Sequence, residues 1–186
     1  MKSTLQLSLL LLTLVSLNLA AQQSCNINIR ETAPASRFIV NVDGNGAPDG
    51  TVSDRQTGLM WARCPQGLSG EGCDQDTRLS FTWPAALTLN GTRPTSVPTG
   101  DTSGTDWRLP NVKELQSLVE LSCFSPAINE TVFPNTPTLT FWSASPNAFD
   151  ASIAWGVNFN FGNVDFSNRS SNRSNVHSVR LVRGGQ

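Results

Sequence analysis

The sequence predicts an α+β fold with two short helices, a compact and mainly antiparallel sheet, and long loops. Helix-like patterns cluster in the middle of the chain, near residues 82–90 and 111–120. Short strand-like segments bounded by Gly, Pro, Asn and Asp lie on both sides of that region. Because strands do not alternate with helices, the pattern disfavours βαβ units around a parallel sheet.

The first 21 residues have the pattern of a secretory signal peptide. Lys2 supplies the positive charge, an apolar run follows it, and Ala20 and Ala21 are small residues suited to cleavage. No other apolar run approaches the roughly 20 residues of a membrane span. We therefore expect a secreted or periplasmic protein, with an N-terminal segment at 22–36 and one domain at 37–186.

The charge pattern argues against nucleic acid or membrane partners, because the net charge is only −1. The C-terminal end is locally basic, since no carboxylate follows Asp165. Its cationic or titratable residues are Arg169, Arg173, His177, Arg180 and Arg183.

Four cysteines in an exported chain predict two disulfides, and their spacing does not fit a zinc site. Three pairings are possible. We favour Cys64 with Cys73, which closes a Gly-rich loop, and Cys25 with Cys123, which ties the N-terminal segment to the end of the second helix.

The first strands are predicted around a hairpin. The segment "RFIVNV" at 37–42 suits a strand, and "TVSDRQTGLMWA" suits a hairpin that turns between Asp54 and Gly58. Trp61 then enters the core. The intervening "DGNGAPDG" places Asp43, Asn45 and Asp49 at alternate positions but departs from a calcium loop at its next positions, so we expect no cofactor and leave a metal open.

Two helices follow. Thr82 can cap the first, whose opening turn holds Trp83 and Pro84, and a long polar loop comes after it. The second begins near Val112, after the segment "DWRLPN". Asn111 and Glu114 have capping-box spacing there, and we expect Arg108 to pair with a carboxylate.

The second half of the chain is β-rich, with strands predicted at "LTFWSAS", "IAWGVNFN", "GNVDFSN" and "SVRLVRG". Strand alternation would place Phe159 and Phe161 on one face, with Asn158, Asn160 and Asn163 on the other. We expect burial of all five tryptophans. These are Trp61, Trp83, Trp107, Trp142 and Trp155.

Seven ordered segments carry a family resemblance: "DGTVSDRQTGLMWARC", "TWPAAL", "DWRLPNVKELQSLV", "AINETVFPNTP", "FWSAS", "AWGVNFNFG" and "VRLVRG". Together they span most of 37–184 and resemble the bacterial Lcl C-terminal domain family, a domain of unknown function. The resemblance implies a distantly C-type lectin-like fold with ligand-binding loops. Because the family is named after a collagen-like adhesin, it also implies adhesion and carbohydrate binding by analogy.

The strongest candidate ligand-binding segment is residues 158–175, where Asn, Ser and Arg offer donors, acceptors and a bidentate guanidinium fork. An ordinary solvated hairpin is the alternative interpretation. The predicted site comprises Asn158, Asn160, Asn163, Asp165, Asn168, Arg169, Asn172 and Arg173. We interpret Arg180 and Arg183 as structural partners of carboxylates such as Asp54 or Asp106.

We expect no enzyme, because one histidine, no tyrosine and four paired cysteines leave no nucleophile–base arrangement. The sequence favours an exported binding module for a glycan or a surface protein. A structural subunit of a cell-envelope or surface assembly is the alternative, and a hydrolase using a pair of carboxylates is a further one. The oligomeric state stays open.

Overall fold

The computed structural model describes residues 23–98, 106–150, 152–168 and 175–184, so the predicted signal peptide lies outside the described residues. These residues form two α-helices, α1 (Trp83–Leu87) and α2 (Val112–Gln116). Their strands are β1 (Ser24–Cys25), β2 (Phe38–Val42), β3 (Pro48–Asp54), β4 (Leu59–Ala62), β5 (Leu68–Ser69), β6 (Gln75–Asp76), β7 (Cys123–Phe124), β8 (Thr140–Pro146), β9 (Ile153–Asn158), β10 (Asn163–Asn168) and β11 (Val182–Gly184).

The first sheet has the order β11-β4-β3-β2, and all its pairings are antiparallel. The predicted β3–β4 hairpin is confirmed, with Gly58 at φ 69° just before β4. This conformation suits a residue without a side chain. Val52 lies opposite Trp61, so the hairpin points both side chains into the core.

The second sheet has the order β10-β9-β8 and is also antiparallel. Two short ribbons, β1-β7 and β5-β6, complete the described strands. An isolated parallel bridge joins Phe141 of β8 to Ser178, which brings the C-terminal segment beside the second sheet. The predicted α+β arrangement of short helices and mainly antiparallel strands is therefore confirmed, and the C-type lectin likeness stays a prediction.

The core contains two large clusters of buried apolar residues. One includes Trp61, Phe133, Phe141 and Phe159, and the other includes Trp107, Leu109, Trp142 and Leu181. Burial was predicted for all five tryptophans, but only these three are buried.

The remaining two tryptophans are half-buried, so the prediction was wrong for them. Trp83 donates its indole N–H to the carbonyl of Ser143 at 2.8 Å. Trp155 packs edge-on against the exposed ring of Phe166. Each therefore combines partial burial with a specific contact, as amphipathic aromatic side chains often do.

The two helices begin differently. Asn111 Oδ1 accepts from the backbone N–H groups of Lys113 and Glu114 at 2.9 Å, and Glu114 Oε2 accepts from Asn111 N at 2.8 Å. This confirms the capping box of α2. Thr82 precedes α1 but makes no side-chain cap, so the predicted capping role of Thr82 was wrong. The proline in the first turn of α1 suits a helix start instead.

Both predicted disulfides are present. Cys25 lies directly opposite Cys123 in the β1–β7 ribbon, and Cys64 joins Cys73 across a nine-residue separation. Two disulfides with no free cysteine indicate an oxidising compartment, either extracellular or periplasmic. Neither helix of the described residues is long enough to cross a membrane.

The C-terminal arginines have different partners. Arg183 approaches Asp106 at 3.7 Å, as predicted, and its guanidinium lies 4.9 Å from the centre of the Trp107 ring. Arg180 was expected to pair with a carboxylate, and that prediction was wrong. It is fully buried, donates to backbone carbonyls, and has no ion pair among the described residues.

Candidate functional site

The turn that joins β9 to β10 differs from the predicted alternating strand. Strand β9 ends at Asn158, whose carbonyl accepts from Gly162 N at 2.8 Å, and Gly162 has φ 78°. Because the chain turns here, alternation stops. Phe159 is fully buried and Phe161 is 66% exposed, so the predicted shared face of these two rings was wrong.

Asn160 lies in this turn and faces a neighbouring loop. Its side-chain oxygen accepts from Ser125 Oγ at 2.8 Å, and its carbonyl accepts from Ser125 N at 2.9 Å. These bonds attach the hairpin to the segment that follows β7. The expectation that Asn160 faces the same way as Asn158 and Asn163 along a strand was therefore wrong as well.

Three other residues of the predicted site share one face of the second sheet. Asn158 pairs with Asn163 across β9 and β10, and Gly156 pairs with Asp165 two positions further on. Directly paired residues of antiparallel strands, and residues two apart, point to the same side of a sheet. Asn158, Asn163 and Asp165 consequently lie on a common polar face.

A groove of about 320 Å³ opens beside this face, and we call it the His177 groove. Four separate stretches of chain form it. They are the segment before α1, the start of β8, the end of β9, and the segment before β11. Its lining residues are Arg78, Ser80, Thr138, Leu139, Thr140, Asn158, Val176, His177 and Ser178.

Backbone hydrogen bonds hold the walls of the His177 groove together. Phe81 and His177 exchange N–H···O bonds of 2.9 and 3.0 Å, and Ser178 N donates to the carbonyl of Thr140 at 3.2 Å. These hydrogen bonds join main-chain groups, so they do not depend on which side chains line the groove. The position of the groove is therefore set by the backbone pairing of the segments that form it.

His177 forms one side of the groove. Its ring centre lies 4.4 Å from the nearer ring centre of buried Trp142, and its Nε2 is buried without a partner among the described residues. Burial lowers the pKa of His177, and the opposing effect of Asp165 is smaller. The imidazole is consequently neutral at pH 7.

Arg78 brings the permanent positive charge of the groove. Its Nη1 donates to Ser80 Oγ at 2.8 Å and to Ser178 Oγ at 3.1 Å. Within the described part of the chain it forms no ion pair with a carboxylate. Its other N–H groups remain free to donate to a ligand.

The groove also contains neutral polar groups that can form hydrogen bonds. Asn158 Oδ1 accepts from Asn160 N at 2.8 Å, so the Asn158 NH₂ group remains a donor. The hydroxyls of Thr138 and Thr140 make no hydrogen bonds to other described residues, while Leu139 and Val176 contribute apolar surface. The groove can bind a small polar ligand by several hydrogen bonds.

The structure also separates the predicted site residues. Asn158 lines the His177 groove, whereas Asn163 and Asp165 lie on the adjoining strand. Asn168 is the last residue of β10. Arg169, Asn172 and Arg173 lie outside the described residues. Sequence reasoning missed Arg78 and the hydroxyls, because nothing in the sequence indicates that Phe81 pairs with His177.

The calcium-like loop uses its carboxylates to stabilise turns. Asp43 Oδ1 accepts from the backbone N–H groups of Asn45 and Ala47 at 2.8 and 3.0 Å. Asp49 Oδ1 accepts from both the backbone N–H and the hydroxyl of Thr51. Across the described residues, no three His, Cys, Asp or Glu side chains form a group that could hold a metal ion.

Comparison with known proteins connects this architecture to a family. The family model described as the Lcl C-terminal domain matches residues 50–183, which is more than half of the chain and includes every lining residue of the His177 groove. No curated protein matches the sequence. The family resemblance of the seven sequence segments is thereby confirmed.

Proposed function

This chain belongs to the Lcl C-terminal domain family, and from that premise we propose that it is an exported binding module, not an enzyme, that recognises a glycan. The site is the His177 groove with the polar face beside it. The analogy with the adhesin that names the family suggests surface adhesion, and the groove supplies a physical basis for it.

The observation that carries the proposal is the set of polar groups around the His177 groove that have hydrogen-bonding capacity left within the described part of the chain. Among the described residues, some N–H groups of Arg78 and the NH₂ group of Asn158 have no partner, and Thr140 adds a hydroxyl to the same lining. Sugars present closely spaced hydroxyls that both donate and accept. Convergent donors and acceptors of this kind bind them.

The size and apolar surface of the groove also suit a sugar. Its volume of about 320 Å³ is near the lower end of the range for small-molecule sites, so it suits one or two sugar rings. Leu139 and Val176 can contact the C–H groups of such a ring. The two disulfides are consistent with function outside the cytoplasm.

The proposal is tested by a glycan array with the wild-type protein and with variants of the groove. Arg78→Ala and Asn158→Ala should each weaken binding to the captured glycans by about tenfold, since each removes donors to a polar ligand. Arg55→Ala is the matched control, because Arg55 is exposed on the β3–β4 turn and lines no part of the groove. Thermal unfolding checks that the variants are folded.

Two other results would redirect the proposal. In the first, Arg78→Ala and Asn158→Ala bind as the wild type does, and the double variant Arg169→Ala, Arg173→Ala does not bind. The site would then lie at the segment that contains Arg169 and Arg173. A blank array together with a stable envelope protein that co-purifies would support the alternative of a structural subunit in a surface assembly.

A further inference from the structure

A second cavity, of about 240 Å³, shares no residue with the His177 groove. It lies between the loop closed by Cys64 and Cys73 and the segment at 95–98, and we call it the Arg63 cavity. Its lining residues are Pro48, Gly50, Arg63, Ser69, Gly70, Glu71, Thr95, Ser96 and Pro98.

Arg63 is an unusual residue to line a cavity, because only 8% of its surface is exposed. Its Nε donates to the carbonyl of Val132 at 3.2 Å, and its Nη1 donates to the carbonyl of Glu71. Its Nη2 has no hydrogen-bond partner among the described residues. Arg63 Nη2 is not one of the fully buried nitrogen atoms that lack a partner, so it keeps access to solvent.

A second guanidinium, that of Arg180, lies close enough to Arg63 for the two charges to repel each other. Arg180 is fully buried, and its Nη1 donates to the carbonyls of Ala62 and Arg63. Its Nη2 donates to Thr136 Oγ1 at 2.8 Å, and the ring of Phe133 lies 4.9 Å away. Every one of these partners is electrically neutral.

The two arginines therefore form a buried excess of positive charge. Burial lowers the pKa of Arg180 to about 9, and repulsion from Arg63 adds to that effect. Burial also lowers the pKa of Arg63, against the weaker opposing effect of Glu71, which is exposed. Two buried cations that are opposed only weakly by the exposed Glu71 are unfavourable, so an anion placed beside Arg63 would relieve this repulsion.

The walls of the Arg63 cavity are organised without a ligand. Ser96 Oγ donates to the carbonyl of Gly50 at 3.1 Å, and Thr95 Oγ1 donates to the carbonyl of Leu68 at the same distance. At Gly50, φ is 82° and an added Cβ would lie 1.9 Å from the carbonyl oxygen of Ser96. Glycine is thus required for the close packing of this wall.

From these contacts we propose that the Arg63 cavity binds an oxyanion group, such as a carboxylate or a sulfate, with Arg63 as its charge partner. The free Nη2 of Arg63 donates to the anion, and the second buried cation, Arg180, strengthens the local positive potential. Because the two cavities have no residue in common, this site is independent of the proposed glycan groove.

The test is an NMR titration of the wild-type protein with sodium sulfate, glucuronate and N-acetyl-Ala-Ala, with chloride holding the ionic strength constant. We expect saturable shifts of the backbone amides near residues 69–71 and 95–97. N-acetyl-Ala-Ala amide lacks the carboxylate and should cause none. If glucuronate binds more tightly than N-acetyl-Ala-Ala, acidic sugars are the source of the oxyanion. If N-acetyl-Ala-Ala binds more tightly, the source is the C-terminal carboxylate of a peptide.

Arg63→Gln removes the proposed charge partner and should abolish binding. Variants of the rim keep the proposal testable even if this variant fails to fold. Glu71→Gln removes a competing negative charge and should tighten binding by about threefold. Ser96→Asp places a carboxylate at the cavity and should abolish anion binding. Asp74→Asn is the matched control, because Asp74 is exposed on the same disulfide loop but does not line the cavity.

Two results would overturn the proposal. One is a set of shifts that grow linearly with anion concentration and never saturate. The other is saturable binding that neither Glu71→Gln nor Ser96→Asp alters, because the anion would then be bound elsewhere.

Discussion

Arg108 and Glu114 form a two-point ion pair, with Nη1 2.8 Å from Oε2 and Nη2 2.7 Å from Oε1. The same Glu114 closes the capping box of α2, and the backbone of Arg108 exchanges hydrogen bonds with Val182 of β11. One arginine therefore connects the start of the helix to the first sheet. This explains why the Trp-Arg-Leu-Pro segment runs directly into a capped helix.

Removing the cap should destabilise the protein modestly. Asn111→Ala deletes the acceptor of two backbone N–H groups and should lower the free energy of unfolding by about 1 kcal/mol. Lys113→Ala, at an exposed position of the same helix, should change it by less than about 0.5 kcal/mol. Urea unfolding measures both. Equal losses in the two variants would show that the cap makes no specific contribution to stability here.

The buried carboxylate of Glu120 should be more important than the cap. It accepts from the backbone N–H groups of Thr32, Ala33 and Ser122 and from the Ser122 hydroxyl. Glu120→Gln places an NH₂ group among these donors and should lower the free energy of unfolding by about 3 kcal/mol, measured by urea unfolding. Glu31→Gln, at an exposed position, is the control and should cost little.

Acid should reduce the difference in unfolding free energy between the wild type and Glu120→Gln. Burial raises the pKa of Glu120, but hydrogen bonds from Ser122, Ala33 and Thr32 together outweigh burial and hold the pKa below its ordinary value. The stabilisation is therefore present above the ordinary pKa of about 4.3 and is lost as pH falls through the lower pKa of the folded state. A wild-type advantage over Glu120→Gln that persists at about pH 2 would contradict this.

His177 should make stability sensitive to a higher pH range. Burial lowers its pKa in the folded protein, so the stabilisation is present above the ordinary value of about 6.5 and is lost as pH falls below it. Between about pH 7.5 and about pH 5, the wild type should lose more unfolding free energy than His177→Gln. Parallel pH profiles of the two proteins would refute the assignment.

The two disulfides should differ in how much they stabilise. Cys25 and Cys123 are separated by 98 residues, and Cys64 and Cys73 by 9. Chain-entropy arithmetic gives about 4.7 kcal/mol for the long closure and about 2.6 kcal/mol for the short one.

Urea unfolding of the two paired Cys→Ala variants measures this difference. The variant at 25 and 123 should be less stable than the variant at 64 and 73. Because Cys64 and Cys73 are buried, losses of packing will narrow the gap. A higher stability for the 25 and 123 variant would show that closure entropy does not control stability here.

The candidate site was predictable only in part. Asn and Ser in the segment 158–175 identified a polar region, and the register of β9 and β10 places Asn158, Asn163 and Asp165 on one face. The groove itself also needs Arg78 and the hydroxyls, which are far from it in the sequence. The turn after Asn158 was missed, since a Gly that takes a positive φ ends alternation without changing the apolar pattern.

The sequence by itself determined the local structure. It set the cap of α2, the β3–β4 turn at Gly58 and the α+β class, and it favoured one of three cysteine pairings, which the structure then confirmed. These depend on nearby residues or on a small number of alternatives. Only the tertiary structure decided the partners of the arginines, because Asp54 pairs with Arg37 while Arg180 is left among carbonyls. Which charges meet depends on contacts between distant segments, and these arise only when the sheets pack.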